Sequence, residues 1–501
     1  MASFSLLSSL LVSLTFLFSL SSASPFSLEI HNRFSDRVRH WAESRNHPGV
    51  WWPQHGTAEY YAALAHHDRA LHQRRSLATT SPQELAFSDG NATYRLSSLG
   101  YLYYAFVELG TPNVTFFVAL DTGSDLFWVP CDCKQCAALS SPSYGVNFAF
   151  NTYSPSKSNT SETISCGSSS CQEVQSTCSG SSANCTYKIS YVSDNTSSSG
   201  YLVEDVLYLT TETIQPQTTQ ASIIFGCGQT QTGTFLDGGT PDGLMGLSMS
   251  NLSVPSILAN KGYTLNSFSM CFSEDGIGRI NFGDAGSSDQ SETPLLVDTQ
   301  ADLYNISLTG FSVGNSSYTS SFSAIVDSGT SFTYLSDPMY TDIVTSFNSQ
   351  VEERRASLLS AAASFEYCYY LSSGQTSAKI PDIAFTTQGG SSFPVNDALL
   401  TVVSTTGNTI GYCLAIGKSS GLNIIGQNFL TGLRVVFDRE RLVLGWQNFN
   451  CYDSSASGPA LAPNGYNPKK TNQVSVLENS SPRLTAMSSL VLLFMVTMLF
   501  M

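Results

Sequence analysis

The chain has 501 residues, of which 42% are hydrophobic and only 12% are charged, and its formal net charge is −15. This acidic balance argues against nucleic-acid binding, which requires a basic surface. The length leaves room for two or three domains. The low charge is balanced by Ser, Thr, Gly and Asn, a composition that favours a β-rich, loop-rich secreted protein.

The chain opens with an apolar stretch that ends in the small residues Ser21-Ser22-Ala23-Ser24. This pattern predicts a secretory signal peptide over residues 1–23, although no basic residue precedes the stretch. Nine N-glycosylation sequons fit the same compartment. Two of them, Asn184 beside Cys185 and Asn479 near the C-terminus, are set aside. The predicted acceptors are Asn91, Asn113, Asn159, Asn195, Asn251, Asn305 and Asn315.

Residues 24–85 are predicted to be a propeptide. Residues 25–75 contain seven arginines, no lysine and five acidic residues, whereas the rest of the chain carries −17. We expect charge to hold this segment over the acidic body and to release it as carboxylates protonate. Arg74-Arg75 is a candidate cleavage point. The alternative interpretation is a disordered basic linker.

The histidines exclude several kinds of hydrolytic site. All seven lie within the first 72 residues. If that segment is removed, the mature protein can build neither a Ser-His-Asp or Cys-His site nor a zinc site with histidine ligands. Carboxylate chemistry is what remains.

From Tyr101 onward the sequence shows short apolar strands separated by Gly, Asn, Asp and Pro. The predicted strands are Tyr103–Leu109, Phe116–Leu120, Ser222–Phe225, Ile306–Leu308, Ile410–Ile416 and Arg434–Phe437. The best helix candidate is Pro338–Asn348. Because strands and helices do not alternate, the pattern predicts an all-β body, too long for a single sandwich.

Twelve cysteines in a secreted chain predict disulfides. Their even number permits complete pairing, and the sequence leaves the connectivity open. They are Cys131, Cys133, Cys136, Cys166, Cys171, Cys178, Cys185, Cys227, Cys271, Cys368, Cys413 and Cys451.

Two short motifs carry most of the chemistry: Asp121-Thr122-Gly123-Ser124 and Asp327-Ser328-Gly329-Thr330. Each follows an apolar run, which indicates two related halves that each deliver one aspartate to a shared seam. Two carboxylates held close together share a proton and titrate as a pair. One can then act as a base toward water and the other as an acid.

The C-terminus has the order of a GPI-anchor signal. Small residues Asn479-Ser480-Ser481 are followed by a short spacer and an apolar tail, Leu490–Met501. This stretch of twelve residues, nearly all apolar, is too short to span a bilayer comfortably. The pattern predicts a linker over 453–479, lipid attachment at Asn479 and removal of 480–501. A degenerate transmembrane anchor is the alternative.

From Tyr101 to Cys451 these motifs resemble the pepsin-like aspartic proteases. Two Asp-Thr/Ser-Gly loops, each with an apolar-apolar-Gly element (Gly243–Leu247 and Ile424–Gly426), are a specific signature. The resemblance implies a bilobal fold, with an N-terminal lobe over 100–297 and a C-terminal lobe over 298–452. It implies catalysis by Asp121 and Asp327 without metal or organic cofactor.

The same resemblance assigns supporting roles. Ser124 and Thr330 would hydrogen-bond the outer carboxylate oxygens, and Thr122 and Ser328 would tie the two loops together. Gly123 and Gly329 would leave the aspartates open to water and substrate. Tyr191 matches the tyrosine of a flap over the cleft, and Trp128 matches its partner.

The cysteine-rich stretch 131–185 resembles the insertion of plant nepenthesin-type proteases. By that resemblance Cys368 and Cys413 could form a disulfide of the second lobe. The predicted protein is a monomeric, acid-acting endopeptidase on the extracellular side of the plasma membrane, with polypeptide substrates, its own propeptide and the membrane as partners. The alternatives are a catalytically silent pepsin-like binding protein and, more remotely, a glycoside hydrolase.

Overall fold

In the computed structural model, the described residues are 26–32, 57–62 apart from Glu59, and most of 103–448. Gaps in the last range are 138–150, 175–177, 179, 192–195, 212–217, 237–241, 273–276, 299–300, 373–374, 376–377 and 405–407. The predicted signal peptide, Arg74-Arg75, the linker and the GPI signal lie outside the described residues. The same is true of Asn91, Asn195, Cys451 and Asn479.

Strands dominate the described chain, which confirms the all-β prediction. Those before residue 299 are β1 Phe26–Asn32, β2 Tyr103–Leu109, β3 Val114–Asp121, β4 Trp128–Gln135, β5 Glu162–Thr163, β6 Thr186–Ser190, β7 Ser197–Thr211, β8 Thr218–Thr232, β9 Leu244–Gly246, β10 Ser267–Phe272, β11 Ile277–Phe282 and β12 Ser291–Asp298. Those after it are β13 Ala301–Val313, β14 Ser316–Val326, β15 Thr333–Leu335, β16 Cys368–Tyr370, β17 Ile383–Thr387, β18 Ser392–Val395, β19 Leu399–Val403, β20 Thr409–Leu414, β21 Ile416–Lys418, β22 Ile424–Ile425, β23 Leu433–Asp438 and β24 Val443–Asn448.

The α-helices within residues 103–448 are short. They are α1 Ser169–Gln172, α2 Val254–Asn260, α3 Met339–Gln350, α4 Ser357–Ala363 and α5 Gln427–Leu430. The predicted helix at Pro338–Asn348 is confirmed as α3, with Pro338 at the N-cap, where its missing N–H costs little. No helix in the described ranges is long and apolar enough to cross a membrane.

One predicted strand, Ile410–Ile416, is divided in the structure. β20 ends at Leu414 and pairs with β16 and β19, whereas β21 begins at Ile416 and pairs with β15. Between them the Ala415 N–H donates to the Ala398 carbonyl. The chain therefore changes sheets at Ala415, which a continuous apolar run does not reveal. The other predicted strands lie within observed ones.

The two lobes are joined by an antiparallel sheet to which both contribute. Its consecutive neighbours are β1, β11, β10, β23, β24 and β12. The pairing of β10 with β23 joins a strand of the N-terminal lobe to the last described strands of the C-terminal lobe. A continuous hydrogen-bonded sheet of this kind fixes the relative position of the lobes, and hence of the two aspartate loops.

The hydrophobic core runs through both lobes. Residues Phe116–Leu120 of β3 are fully buried, so this strand is covered on both faces. Fully burying one such phenylalanine contributes about 1.5–3 kcal/mol. A smaller cluster in the second lobe contains Phe332, Tyr334 and Phe365, together with Tyr60 and Tyr61 from the N-terminal segment.

Cysteines pair throughout the described residues, none of which holds a free thiol. Cys131–Cys227 links β4 to β8, and Cys133–Cys136, Cys166–Cys178 and Cys171–Cys185 stabilise the cysteine-rich stretch. Cys368–Cys413 joins β16 to β20, which confirms the second-lobe disulfide implied by resemblance. Cys271 is also disulfide-bonded.

Candidate active site

Each aspartate stands at the buried end of a strand. Asp121 is the last residue of β3, and Asp327 directly follows β14. In each half the strand pairs in parallel with a short apolar strand: β3 with β9, and β14 with β22. These two short strands are the predicted apolar-apolar-Gly elements. The same local arrangement therefore occurs twice, once in each half.

Glycine permits the close crossing in both halves. A Cβ at Gly246 would lie 2.3 Å from the backbone of Asp125, and one at Gly426 would lie 2.2 Å from the Phe332 carbonyl oxygen. At Gly243, where φ is +113°, a Cβ would meet the Trp128 carbonyl oxygen at 2.1 Å. Any larger residue would push the short strand away from its catalytic loop.

Reciprocal hydrogen bonds lock the two loops together, as the resemblance implied. The Thr122 N–H donates to Ser328 Oγ at 3.1 Å, and the Ser328 N–H donates to Thr122 Oγ1 at 2.8 Å. Thr122 Oγ1 also donates to the Val326 carbonyl, and Ser328 Oγ donates to the Leu120 carbonyl. Both side chains are buried. Each hydroxyl thus satisfies two backbone groups of the opposite lobe.

This lock brings the two carboxylates together. A Cβ at Gly329 would lie 2.5 Å from Asp121 Oδ1 and 3.0 Å from Asp327 Oδ1, so both oxygens border the same point. The Gly123 N–H donates to Asp121 Oδ1 and the Gly329 N–H to Asp327 Oδ1, each at 2.8 Å. Glycine at 329 keeps that point free of side chain, as expected.

The outer oxygens of the pair are held differently. Thr330 Oγ1 donates to Asp327 Oδ2 at 2.9 Å, as the resemblance implied. The buried Ser124 hydroxyl makes no hydrogen bond in the described part of the chain, so the expectation for Ser124 was wrong. A serine hydroxyl is less restricted about χ1 than that of the β-branched threonine, and it is not confined to the carboxylate.

The flap prediction identified a real contact. β6 and β7 form a hairpin, and Tyr191 follows β6. The Trp128 Nε1–H donates to the Tyr191 hydroxyl at 2.7 Å. Burial raises the pKa of Tyr191 well above its ordinary value, and the Asp121 carboxylate raises it further. Tyr191 therefore stays a neutral hydroxyl near the first aspartate.

Other residues at the site carried no sequence signal. The Phe235 ring packs against Tyr191 and Trp128, with centroid separations of 4.9 and 5.0 Å. Ser248 Oγ donates to Asp125 Oδ1 at 2.5 Å. Burial raises the pKa of Asp125, an effect that the Ser248 hydrogen bond opposes and the Asp302 carboxylate supports. Neither a single phenylalanine nor a single aspartate in a loop forms a recognisable motif, so no pattern in the sequence points to Phe235 or Asp125.

Gln427 is a further supporting residue. Its Nε2 donates to the Ser328 carbonyl, and its backbone N–H donates to the Thr330 carbonyl at 2.8 Å. Gln427 directly follows Ile424-Ile425-Gly426. Its position next to this recognised element is the sequence signal that could have identified it.

The sequons differ in exposure. Asn113, Asn159, Asn251 and Asn315 are exposed. Asn305 is only half-buried, but it lies within β13, and its Oδ1 is buried without a partner in the described residues. Asn305 is thus less accessible than the other described acceptors, and its glycosylation stays a prediction.

Two β-rich lobes that place paired Asp-Thr/Ser-Gly loops at their seam define the class of pepsin-like aspartic proteases. Family profiles agree: residues 103–284 match xylanase inhibitor N-terminal, and residues 301–448 match xylanase inhibitor C-terminal. The chain belongs to the pepsin-like aspartic protease family.

Named plant relatives support this membership. Aspartyl protease family protein 1 of Arabidopsis thaliana is 45% identical over 92% of this chain and 91% of its own length. Aspartic proteinase-like protein 1 of the same plant is 37% identical, covering 88% of this chain and 84% of its own. Aspartic proteinase nepenthesin-2 of Nepenthes gracilis is 27% identical over 70% and 78%. The nepenthesin-like interpretation is confirmed.

Solved structures share the fold at low identity. Conglutin gamma, a basic 7S globulin from lupine seeds, has a TM-score of 0.55 and 19% identity, covering 70% of this chain and 92% of its own. The basic 7S globulin from soybean gives a TM-score of 0.54 and 20% identity over the same shares. These likenesses concern the fold alone.

Proposed function

We propose that this protein is an aspartic endopeptidase that hydrolyses peptide bonds at acid pH. The observation that carries the proposal is the position of the pair: Asp121 Oδ1 and Asp327 Oδ1 both lie within 3.0 Å of the point where Gly329 would carry a Cβ. Two carboxyl groups this close can divide the roles of base and acid between them.

The reaction then needs only this pair and a water molecule. The ionised carboxylate takes a proton from water as the oxygen attacks the peptide carbonyl. The protonated carboxyl donates a hydrogen bond to the carbonyl oxygen and stabilises the tetrahedral intermediate. The same groups return a proton to the leaving amine. No covalent acyl-enzyme forms.

The flap residues would hold the substrate over this pair. The Trp128 indole fixes the Tyr191 hydroxyl, and Phe235 packs on both rings. An extended peptide would lie between this aromatic group and the aspartates. Trp128→Phe removes the Nε1 donor while keeping an aromatic ring. We expect it to raise KM more than it lowers kcat, because the catalytic pair remains intact.

The location is part of the proposal. A signal peptide over 1–23 and a GPI signal over 480–501 would place the enzyme on the extracellular face of the plasma membrane. The five disulfides described above support an oxidising compartment. Treatment of cells with a phosphatidylinositol-specific phospholipase should release the protein. Release by detergent alone would contradict the lipid anchor.

The activity test is digestion of denatured protein at acid pH by the secreted form, with and without the class inhibitor pepstatin. We expect pepstatin-sensitive cleavage that the matched variant Asp327→Asn lacks. Cleavage that is equal in Asp327→Asn would show a contaminating protease. No cleavage over pH 2–7 by folded protein with its N-terminal segment removed would contradict the proposal.

A second candidate is a silent binding protein of the same fold. Two observations favour keeping it: the matching profiles are described as xylanase inhibitor, and the Ser124 hydroxyl does not hold the Asp121 carboxylate. If folded protein cuts nothing, binding to a xylanase, measured as loss of that enzyme's activity, is the next test.

A further inference from the structure

Four cysteines of the cysteine-rich stretch form two disulfides that lie side by side. Cys166 pairs with Cys178, and Cys171 pairs with Cys185. The Sγ atoms of Cys171 and Cys178, which belong to different disulfides, are only 3.6 Å apart. The Sγ atom of Cys166 lies within 4.8 Å of both. Sulfurs of the two disulfides are therefore in contact, as they must be for a thiolate of one pair to attack the other.

The two disulfides differ in exposure. Cys178 is exposed and Cys166 is half-buried, whereas Cys171 is only 3% exposed and Cys185 is fully buried. Attack on a disulfide requires access to one of its sulfurs. A small thiol in solution can therefore reach the first disulfide directly, and it can reach the second only through the first.

The buried Cys185 lies at the base of the hairpin formed by β6 and β7. It directly precedes β6. Its N–H donates to the Ile164 carbonyl, and its carbonyl accepts from the Leu202 N–H of β7, each at 2.8 Å. Its disulfide ties this base to Cys171 in α1. Because Tyr191 follows β6, the bonding state of Cys185 bears on the hairpin that positions Tyr191.

We propose that these four cysteines form an exchange site for a low-molecular-weight thiol, through which attack on the exposed disulfide changes the anchoring of the hairpin. The thiolate attacks Cys166 Sγ and forms a mixed disulfide, which releases the Cys178 thiolate. That thiolate attacks Cys171 Sγ, forms Cys171–Cys178 and releases the Cys185 thiolate. Cys185 then attacks the mixed disulfide, forms Cys166–Cys185 and returns the thiol. The protein is neither oxidised nor reduced overall.

Chain entropy permits the new pairing. The loop closed by Cys171–Cys178 spans 7 residues, against 14 for Cys171–Cys185. A twofold change in loop length alters the entropy of loop closure only slightly. Contact between the sulfurs, and not the length of chain, is therefore what separates this pair from cysteines that cannot exchange.

The test uses the full chain with Cys166→Ser, which frees Cys178 without any added thiol. The protein is incubated at about pH 8.5, near the ordinary pKa of a thiol, and then alkylated with iodoacetamide. Mass spectrometry of its peptides locates the label. We expect label at Cys185 together with a Cys171–Cys178 bond. Label confined to Cys178, with Cys171–Cys185 intact, would overturn the proposal.

Cys136→Ser is the matched control, because it also frees one exposed cysteine, Cys133, but in a disulfide outside this cluster. Its label should stay at Cys133.

If Cys166→Ser does not fold, the unaltered protein incubated with reduced glutathione decides the matter. A peptide linked through Cys171 and Cys178 should then appear. Glutathione on Cys166 or Cys178, with Cys171–Cys185 unchanged, would contradict the exchange.

Hydrogen exchange of peptide 186–191 measures the effect on the hairpin. Molecules with the Cys171–Cys178 bond should exchange these amides about 10-fold faster than Cys136→Ser does, because β6 has lost its tie to α1. Equal rates would contradict the effect on the hairpin. Neither readout depends on peptidase activity, so failure of the proposed function and failure of this exchange are told apart.

Discussion

The two aspartate loops have the same backbone arrangement but different surroundings. Asp327 is only 3% exposed, and both of its oxygens accept a hydrogen bond, from the Gly329 N–H and from Thr330. Asp121 is partly exposed, and the buried Ser124 hydroxyl makes no hydrogen bond in the described part of the chain. A duplicated scaffold thus supplies two carboxylates in unequal environments, which is what distinct acid and base roles require.

The largest expected effect comes from removing either carboxylate. Asp121→Asn and Asp327→Asn should each lower kcat at least about 100-fold, because each removes one partner of the proton exchange. Both variants should keep the fold, since the amide can accept the same backbone N–H. Initial rates on a denatured protein substrate measure the loss. If one variant keeps near-normal turnover, the pair does not act as a unit.

The next largest effect is expected from the Thr330 hydroxyl, which holds Asp327, compared with the Ser124 hydroxyl, which makes no hydrogen bond in the described residues. Thr330→Val leaves Asp327 Oδ2 buried without its donor, at a cost of about 1–3 kcal/mol. We therefore expect a lower maximal rate on a denatured protein substrate. Ser124→Ala, the matched change in the first loop, should change that rate by no more than about twofold, because no hydrogen bond is lost. Equal effects of Thr330→Val and Ser124→Ala would contradict the inferred difference between the two loops.

The lock between the loops is symmetric, and its variants should be too. Thr122→Val and Ser328→Ala each leave a backbone N–H and a carbonyl of the opposite lobe buried without a partner. Each should destabilise the protein by about 1–3 kcal/mol. Thermal unfolding followed by circular dichroism measures both. A large difference between the destabilisations of the two variants would show that the hydroxyl of one loop provides most of the stabilisation.

Asp125 gives the smallest and most pH-specific effect. Its pKa is raised in the folded protein, chiefly by burial, so its contribution favours folding below its ordinary value of 3.8. That contribution is lost as pH rises through the folded-state pKa. Asp125→Asn should therefore raise the melting temperature at pH 7 and leave it unchanged below pH 3.8. The asparagine can still accept from Ser248. A stabilisation that is independent of pH would contradict this account.

Much of the site could be predicted because its parts are local in sequence. An apolar strand, an Asp and a Thr/Ser-Gly turn appear within a few residues, and their repetition identified Asp121 and Asp327. The Trp128 to Tyr191 contact rested on resemblance, since nothing local relates residues 63 positions apart. Phe235 and Ser248 were missed for the same reason: their roles come only from contact with distant segments.

The sequence by itself determined which groups are available for chemistry in this protein: two aspartate loops, no histidine after residue 72, and an even number of cysteines. These are properties of composition and short motifs, which can be recognised without knowledge of the fold. Only the tertiary structure decided how unequal the two aspartates are and that β1 is an interior strand of the sheet joining the lobes. Exposure, hydrogen-bond partners and strand neighbours are set by residues far apart in the chain, so no local pattern encodes them.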